Sequence, residues 1–185
     1  MGVKFKEDVA QNIKVHRDTR RSVVILKSIK KIILEILGAE KITFLEQEMS
    51  NASIILDRTA GLDCLVQKNG VLYGMATRVQ WCNEPYNTYT VRYKRNTGNK
   101  TEYEKRSDQI NIEGSIYPHW TLQTFFSRIG EFLSVGIIET RKLYEHIESN
   151  LDTLEIRDAD NASFIVVDWE ALKPDMNSIT ADNWG

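Results

Sequence analysis

Proline, glycine and cysteine are scarce in this sequence, and no long hydrophobic run occurs in it. Three prolines and ten glycines among 185 residues are too few for a disordered or fibrous chain. Two cysteines are too few for a disulfide scaffold, and neither has a histidine or a second cysteine at zinc-binding spacing. We therefore expect Cys64 and Cys82 to be reduced, buried thiols of a cytoplasmic protein.

The chain also lacks the features of a secreted, membrane or wholly basic protein. Its first residues contain no apolar core of a signal peptide. The apolar stretch from Ile32 to Leu37 is interrupted by Glu35 and is too short to span a bilayer. Because the net charge is −2 and the pI is near 6.0, any contact with nucleic acid must be a local patch. No membrane partner is expected.

Length and composition predict a single globular domain, and the order of predicted helices and strands described below places it in the α/β class. Hydrophobic residues make up 42% of the chain and charged residues 27%, which is ordinary for a protein with one core. Within residues 1–185 we distinguish an N-terminal arm (1–20), a core (22–139), a C-terminal helix and strand (140–173) and a frayed tail (174–185).

Hydrophobic spacing predicts a helix and a hairpin at the start of the core. An amphipathic helix over 22–37, ended by Gly38, is indicated by apolar residues that recur every three or four positions: Val23, Leu26, Ile29, Ile33 and Leu37. Asn69-Gly70 separates two apolar runs, which predicts an antiparallel hairpin of residues 62–67 with 71–81.

The second half of the core reads as further strands and helices around a polar loop. Alternating Thr, Tyr and Val residues predict a strand at 88–94, and residues 95–114 have no clear period, so we interpret them as a loop over a site. The spacing of Leu122, Phe125, Phe126, Ile129 and Leu133 predicts a helix over 121–133. Three more elements follow: strand 135–138, helix 140–147 and strand 164–169. The predicted fold is a mixed β-sheet flanked by helices.

This order of elements resembles the core of the restriction-endonuclease-like, or PD-(D/E)XK, nuclease superfamily, in which a helix, a three-stranded antiparallel meander, a second helix and a strand joining in parallel follow one another. The resemblance covers residues 22–139. It implies a phosphodiester hydrolase that uses Mg²⁺ or Mn²⁺, with an acid beside the second strand. Asp63 stands at that position. The alternative is an ordinary turn residue, because Asp favours turns.

The third strand departs from the family's acid-x-lysine pattern. Residues 74–81 read Gly-Met-Ala-Thr-Arg-Val-Gln-Trp, and the two-residue period places Arg78 and Gln80 on one face beside Asp63. Glutamine is a weaker metal ligand than a carboxylate, and arginine cannot act as a base because it keeps its proton. The pattern therefore leaves catalysis open.

Two other acids are candidate metal ligands together with Asp63. Glu35 lies on the first predicted helix, and Asp57 ends a strand-like run. Carboxylates are the oxygen ligands that Mg²⁺ prefers. For Glu35 the alternative is an exposed pair with Lys31, four residues earlier on the same helix.

Cations and tyrosines are interleaved from the 88–94 strand into the polar loop. The candidate nucleic-acid-binding residues are Arg92, Lys94, Arg95, Lys100 and Arg106, and the rings among them are Tyr89, Tyr93 and Tyr103. This mixture is typical of a nucleic-acid path. Glu102 and Lys105 are candidates for an acid and a lysine that have migrated to this stretch. A solvated charged loop would have the same composition.

Two functions remain open on the sequence. The first is a metal-dependent nuclease whose candidate catalytic residues are Asp63, Arg78, Gln80, Glu102 and Lys105. The second is a non-catalytic accessory module on the same scaffold, such as a phage or mobile-element factor, that binds nucleic acid or a protein. Nucleic acid is the expected partner, and a homodimer stays open.

Overall fold

The computed structural model of the chain describes residues 22–45, 60–95, 100–159, 161–173 and 175–183. The predicted N-terminal arm (1–20) and the run that contains Asp57 lie outside the described residues.

The predicted first helix is present and is interrupted once. Residues 22–28 are helical, Ile29 forms a turn, and helix α1 (Lys30–Leu37) follows directly. The Ile33 N–H donates to the Ile29 carbonyl, so the turn is hydrogen-bonded to the first turn of α1. Gly38 ends the helix in the left-handed conformation, with φ 59°, which glycine adopts without a steric penalty. Both the helix and its stop signal are thus confirmed.

The remaining described elements alternate strands with short helices. In chain order they are β1 (Lys41–Phe44), β2 (Cys64–Lys68), β3 (Val71–Trp81), β4 (Thr88–Arg95), α2 (Glu102–Ile110), β5 (Trp120–Phe126), β6 (Phe132–Glu139), α3 (Thr140–Asn150), β7 (Glu155–Ala159), β8 (Ala162–Asp168) and β9 (Met176–Thr180). They form a six-stranded sheet in the order β1-β2-β3-β5-β6-β9 and a three-stranded sheet in the order β4-β8-β7. The α/β class and the mixed sheet are as predicted.

The predicted hairpin is formed by β2 and β3. Lys68 pairs with Val71, so Asn69 and Gly70 are the two turn residues, and their φ angles of 52° and 75° are those of a turn that suits the twist of a hairpin. Side chains alternate along β3 as the period predicts. Met75 and Val79 pack toward α1, whereas Arg78 bonds to groups on the opposite face of the sheet.

The predicted helix over 121–133 is wrong, because this segment forms β5 and the start of β6. β5 lies in the middle of the sheet, parallel to β3 and antiparallel to β6. Leu122 and Phe126 join the apolar cluster on the α1 side, and Phe125 joins the cluster on the other side. A strand that is buried on both faces loses the polar alternation that would identify it, and its apolar residues then mimic helical spacing.

Two other predictions are corrected by the structure. Residues 95–114 are not a loop throughout, because α2 lies within them. Its N-terminus is a capping box, in which the Thr101 side chain and the Glu104 backbone N–H bond to each other and the Glu104 carboxylate accepts from the Thr101 N–H. The tail 174–185 is not frayed throughout, since β9 pairs with β6 at the edge of the sheet.

The six-stranded sheet is covered on both faces. One cluster packs the 22–37 helical segment on β1, β2, β3, β5 and β6, and a second packs α3 and the three-stranded sheet on the opposite face. Cys64 and Cys82 are buried, as predicted, and burial raises the pKa of the Cys82 thiol. No helix among the described residues is long and apolar enough to cross a membrane.

The close contact between β6 and the second cluster predicts a stability effect. A Cβ added at Gly136 would lie 2.6 Å from Cζ2 of Trp169. We expect Gly136→Ala to lower the free energy of unfolding by about 1–3 kcal/mol, because this core position is already filled. Urea denaturation measures the change. Ser178→Ala is the control, since Ser178 pairs with Gly136 in the register but is exposed, and should change stability by less than about 0.5 kcal/mol. Equal effects of the two substitutions would contradict the prediction.

Candidate functional site

A cleft of about 310 Å³ lies between the six-stranded sheet, β4 and α2. Its lining contains six basic residues, Arg78, Arg92, Arg95, Lys100, Lys105 and Arg106, and two acidic residues, Asp63 and Glu102. We call this cleft, together with the residues that line it, the basic cleft. The chain as a whole carries a formal charge of −2, so the positive charge of the cleft is a local concentration.

Asp63 lies at the edge of the cleft, immediately before β2. Its carboxylate oxygen Oδ2 accepts hydrogen bonds from the backbone N–H of Thr77, at 2.5 Å, and from the Thr77 hydroxyl, at 3.2 Å. Its own backbone N–H donates to Met75. The side chain therefore links the start of β2 to the middle of β3.

Arg78 and Glu102 form the central ion pair of the cleft. The Arg78 guanidinium donates from Nη2 to Glu102 Oε2 at 2.6 Å and from Nη1 to the Thr90 hydroxyl at 3.0 Å. The backbone N–H of Arg92 donates to the same Glu102 oxygen at 3.4 Å. Hydrogen bonds between ionised groups are shorter and stronger than neutral ones, so this pair adds a strong contact to an Arg78 side chain that the Thr90 hydroxyl also holds.

The aromatic ring of Phe164, on β8, packs against the guanidinium groups of Arg78 and Arg92. The guanidinium carbons of Arg78 and Arg92 lie 5.6 Å and 5.5 Å from the centre of the Phe164 ring. Burial lowers the pKa of Arg92, and the positive charges of Arg95 and Arg78 lower it further. The cations in this part of the cleft repel one another, so an anion bound there would reduce their electrostatic repulsion.

Gln80 is held in a side-chain network beside the cleft and does not line it. Its Oε1 accepts from Nε2 of Gln123 at 2.8 Å, and Gln123 Oε1 accepts from the Thr90 backbone N–H at 2.9 Å. Gln123 and Thr90 do line the cleft. Local sequence patterns single out neither residue, because Gln123 falls in the segment predicted as a helix and Thr90 is one of several alternating residues of a predicted strand.

Arg106 is the most deeply buried cation of the cleft, with 6% of the residue exposed. Its guanidinium donates from Nη1 to the Ala60 carbonyl and from Nη2 to the Gly61 carbonyl, at 2.5 Å and 2.9 Å. Burial lowers the pKa of Arg106, but an arginine starts so high that it stays charged. These partners are neutral carbonyls, so they orient the guanidinium without forming an ion pair, while the charges of Glu102 and Asp63 partly offset the effect of burial on its pKa.

The three exposed cations of the lining, which form the mouth of the cleft, are Arg95, Lys100 and Lys105. Lys100 pairs with Asp108 at 2.5 Å, and this hydrogen bond and charge raise the pKa of Lys100. Both partners are more than half exposed, so the pair is screened by solvent and adds little stability. These side chains are accessible to an anion that approaches from solution.

The other predicted nucleic-acid contacts are not brought to the cleft. Lys94 is exposed, is absent from the lining, and stands over the Tyr93 ring at 5.5 Å. Tyr89 is 1% exposed, so its ring cannot stack on a base. Tyr103 contacts Tyr93 edge to face and stacks on Tyr144. The rings of these tyrosines thus pack against other side chains of the protein and do not form a surface for stacking on bases.

The predicted metal ligands do not converge among the described residues. Glu35 is exposed on α1, lies 4.0 Å from Lys31 and does not line the cleft. Asp57 lies outside the described residues. In the part of the chain that the structure describes, no three His, Cys, Asp or Glu side chains are grouped to hold a metal ion. Asp63 and Glu102 share the cleft, but Glu102 is paired with Arg78, so the described donors do not fit the magnesium site that the resemblance implies.

Comparison of the chain with protein-family models, with curated proteins and with solved structures found no match.

The contact between Gly61 and Arg106 predicts a stability difference between two glycine substitutions. Gly61 has φ 59°, and a Cβ added there would lie 2.8 Å from Arg106 Nη2. Gly70 has φ 75° and nothing within 4 Å of its added Cβ, so it serves as the matched control for backbone strain. We expect Gly70→Ala to cost about 1–2 kcal/mol, and Gly61→Ala about 1–3 kcal/mol more, because the buried guanidinium loses its carbonyl partners. Urea denaturation measures both values, and equal losses would contradict this account of Arg106.

Proposed function

We propose that the basic cleft binds the phosphate groups of a nucleic-acid strand. The observation that carries the proposal is the convergence of six cations and only two acids on one cleft of a chain whose net charge is negative. Arginine presents a planar set of donors that matches phosphate oxygens, and three of the six cations are arginines held by hydrogen bonds or ring contacts: Arg78, Arg92 and Arg106.

The shape of the cleft favours a flexible strand as the ligand. A volume of about 310 Å³ is at the lower end for sites that enclose a small molecule or part of a chain. A phosphate must enter this concave site to reach Arg106, which a single strand does more readily than a rigid duplex. The exposed Arg95, Lys100 and Lys105 then contact neighbouring phosphates.

The scaffold of the proposed site is restriction-endonuclease-like. Support comes from the strand order, in which the antiparallel meander β1-β2-β3 follows the 22–37 helical segment and β5 joins β3 in parallel after α2. The position of Asp63 immediately before β2 is a second support. On this scaffold, phosphate binding can persist where the catalytic pattern has changed, since function resides in the site and not in the fold.

The proposed function predicts that neutral side chains at the mouth of the cleft weaken binding. Replacing Arg95, Lys100 and Lys105 together by Gln should lower affinity for a fluorescent single-stranded oligonucleotide at least about tenfold at low salt. The slope of log affinity against log salt should fall by up to about 2, because each lost phosphate contact releases about 0.7 fewer counterions. Fluorescence anisotropy over a salt series measures both quantities.

The control removes the same charge from another surface. Lys27, Lys30 and Lys31 are exposed on the 22–37 helical segment and do not line the cleft. Their triple Gln variant should keep nearly all of the parent's affinity. If the two triple variants bind equally well, or if the parent binds no oligonucleotide at low salt, the proposed function is refuted.

A second candidate function is metal-dependent cleavage of the bound strand. It is favoured by the strand order and by the carboxylate of Asp63 at the edge of the cleft, where the resemblance expects the first acid. The pairing of Glu102 with Arg78 weighs against it, as does the position of Gln80 outside the lining. Binding without cleavage is therefore the function that the geometry supports better.

Asp63→Asn separates the two candidates. Asparagine keeps the side-chain oxygen that accepts from Thr77 but removes the charge, so the fold and strand binding should persist. Any cleavage that depends on Mg²⁺ or Mn²⁺ should be lost, as judged on denaturing gels. Asp152→Asn, an exposed position outside the cleft, is the charge-matched control. Absence of cleavage by the parent with either metal would retire this second candidate and leave the binding proposal standing.

A further inference from the structure

Glu102 occupies a set of donors that would suit a phosphate. One of its carboxylate oxygens accepts from the Arg78 guanidinium at 2.6 Å and from the Arg92 backbone N–H at 3.4 Å. A guanidinium N–H together with a backbone N–H is a common arrangement around phosphate oxygens, and here Arg78 Nη2 supplies the first while Nη1 is bonded to Thr90. The chain's own carboxylate thus lies where an anionic ligand of the basic cleft would be bound.

These donors are held in place by contacts that do not involve Glu102. The Thr90 hydroxyl accepts from Arg78 Nη1 at 3.0 Å, and the Phe164 ring lies behind Arg78 at 5.6 Å. Arg92 belongs to β4 and pairs with Phe164 of β8, so the sheet holds its backbone, although the register shifts between Arg92 and Lys94. If the carboxylate moved away, the donors would stay where they are, and a preorganised site gains affinity because little must be ordered on binding.

Glu102 can leave without disrupting the helix that carries it. It is the first residue of α2, and the helix N-terminus is capped by Thr101 and Glu104, not by Glu102. The side chains of Arg78 and Glu102 are each 26% exposed, so the carboxylate is adjacent to solvent. A rotation of one side chain is enough to exchange it for a ligand.

We propose that the Arg78 guanidinium and the Arg92 backbone N–H form a phosphate subsite that the Glu102 carboxylate fills until a phosphate displaces it. This inference rests on the proposed function of the basic cleft. The ligand is a phosphate group of the bound strand, and the exchange involves no covalent step. Without a ligand, Glu102 reduces the mutual repulsion of the arginines. A phosphate must bind these donors more strongly than the Glu102 carboxylate does in order to displace it.

The test is Glu102→Gln, which removes the charge and keeps the shape. A ligand of the variant no longer competes with a charge-assisted hydrogen bond, so affinity for the same single-stranded oligonucleotide should rise about tenfold. Glu131→Gln is the control for net charge, because Glu131 is exposed in the turn between β5 and β6 and does not line the cleft. It should raise affinity by less than about twofold.

Two further variants show whether the gain arises at the subsite. Glu102→Asp keeps the charge but shortens the side chain, so a rise in affinity there cannot come from net charge. Arg78→Gln in the Glu102→Gln background should abolish the gain, because the released donor is then missing. Thermal unfolding of each variant checks that the fold is kept, and Glu102→Asp provides the measurement if Glu102→Gln fails to fold.

The outcomes distinguish this inference from the function on which it rests. If the parent binds the strand but Glu102→Gln binds no more tightly than Glu131→Gln, or if the gain persists without Arg78, then the subsite is refuted and the basic cleft still binds phosphate. If neither the parent nor the mouth variants bind at low salt, the proposed function itself is refuted.

Discussion

Parallel pairing of β3 with β5 is the constraint on which the rest of the structure depends. Parallel neighbours cannot be joined by a tight turn, so the chain must cross over the sheet between Trp81 and Trp120. The crossover carries β4 and α2, and it brings Glu102 and Arg106 over the sheet face that presents Arg78. The basic cleft is the space between the sheet and its own crossover connection.

The cleft concentrates positive charge by using partners of different kinds. Arg106 is oriented by two backbone carbonyls, which satisfy its donors without cancelling its charge, and Arg78 is paired with a carboxylate that remains near solvent. Burying a charge costs several kcal/mol unless its hydrogen bonds are satisfied, so the buried Arg106 depends on its two carbonyl partners, whereas Arg78 is partly exposed. The exposed pair of Arg157 with Glu155, by contrast, contributes at most about 1 kcal/mol and has no comparable role.

Local patterns predicted those elements whose signals lie within a few residues. The Asn69-Gly70 turn and Gly38 define the hairpin and the helix end by backbone conformations that short sequences encode. The Thr101-x-x-Glu104 capping box would have identified α2 by the same logic, had it been read as a helix start. β5 could not be identified in this way, because burial on both faces removed the alternation that distinguishes a strand from a helix.

The sequence by itself determined the α/β class, the alternation of Arg78 and Gln80 with Met75 and Val79 along one strand, and the supply of cations in the segment around Arg92 and Arg106. Only the tertiary structure decided which of these side chains meet. Arg78 bonds to Glu102 across 24 positions and Arg106 to Ala60 across 46, and the same packing leaves Lys94 outside the cleft. The physical reason is that periodicity and propensity record interactions within one turn of helix or along one strand, whereas the cleft is assembled by pairing between distant strands.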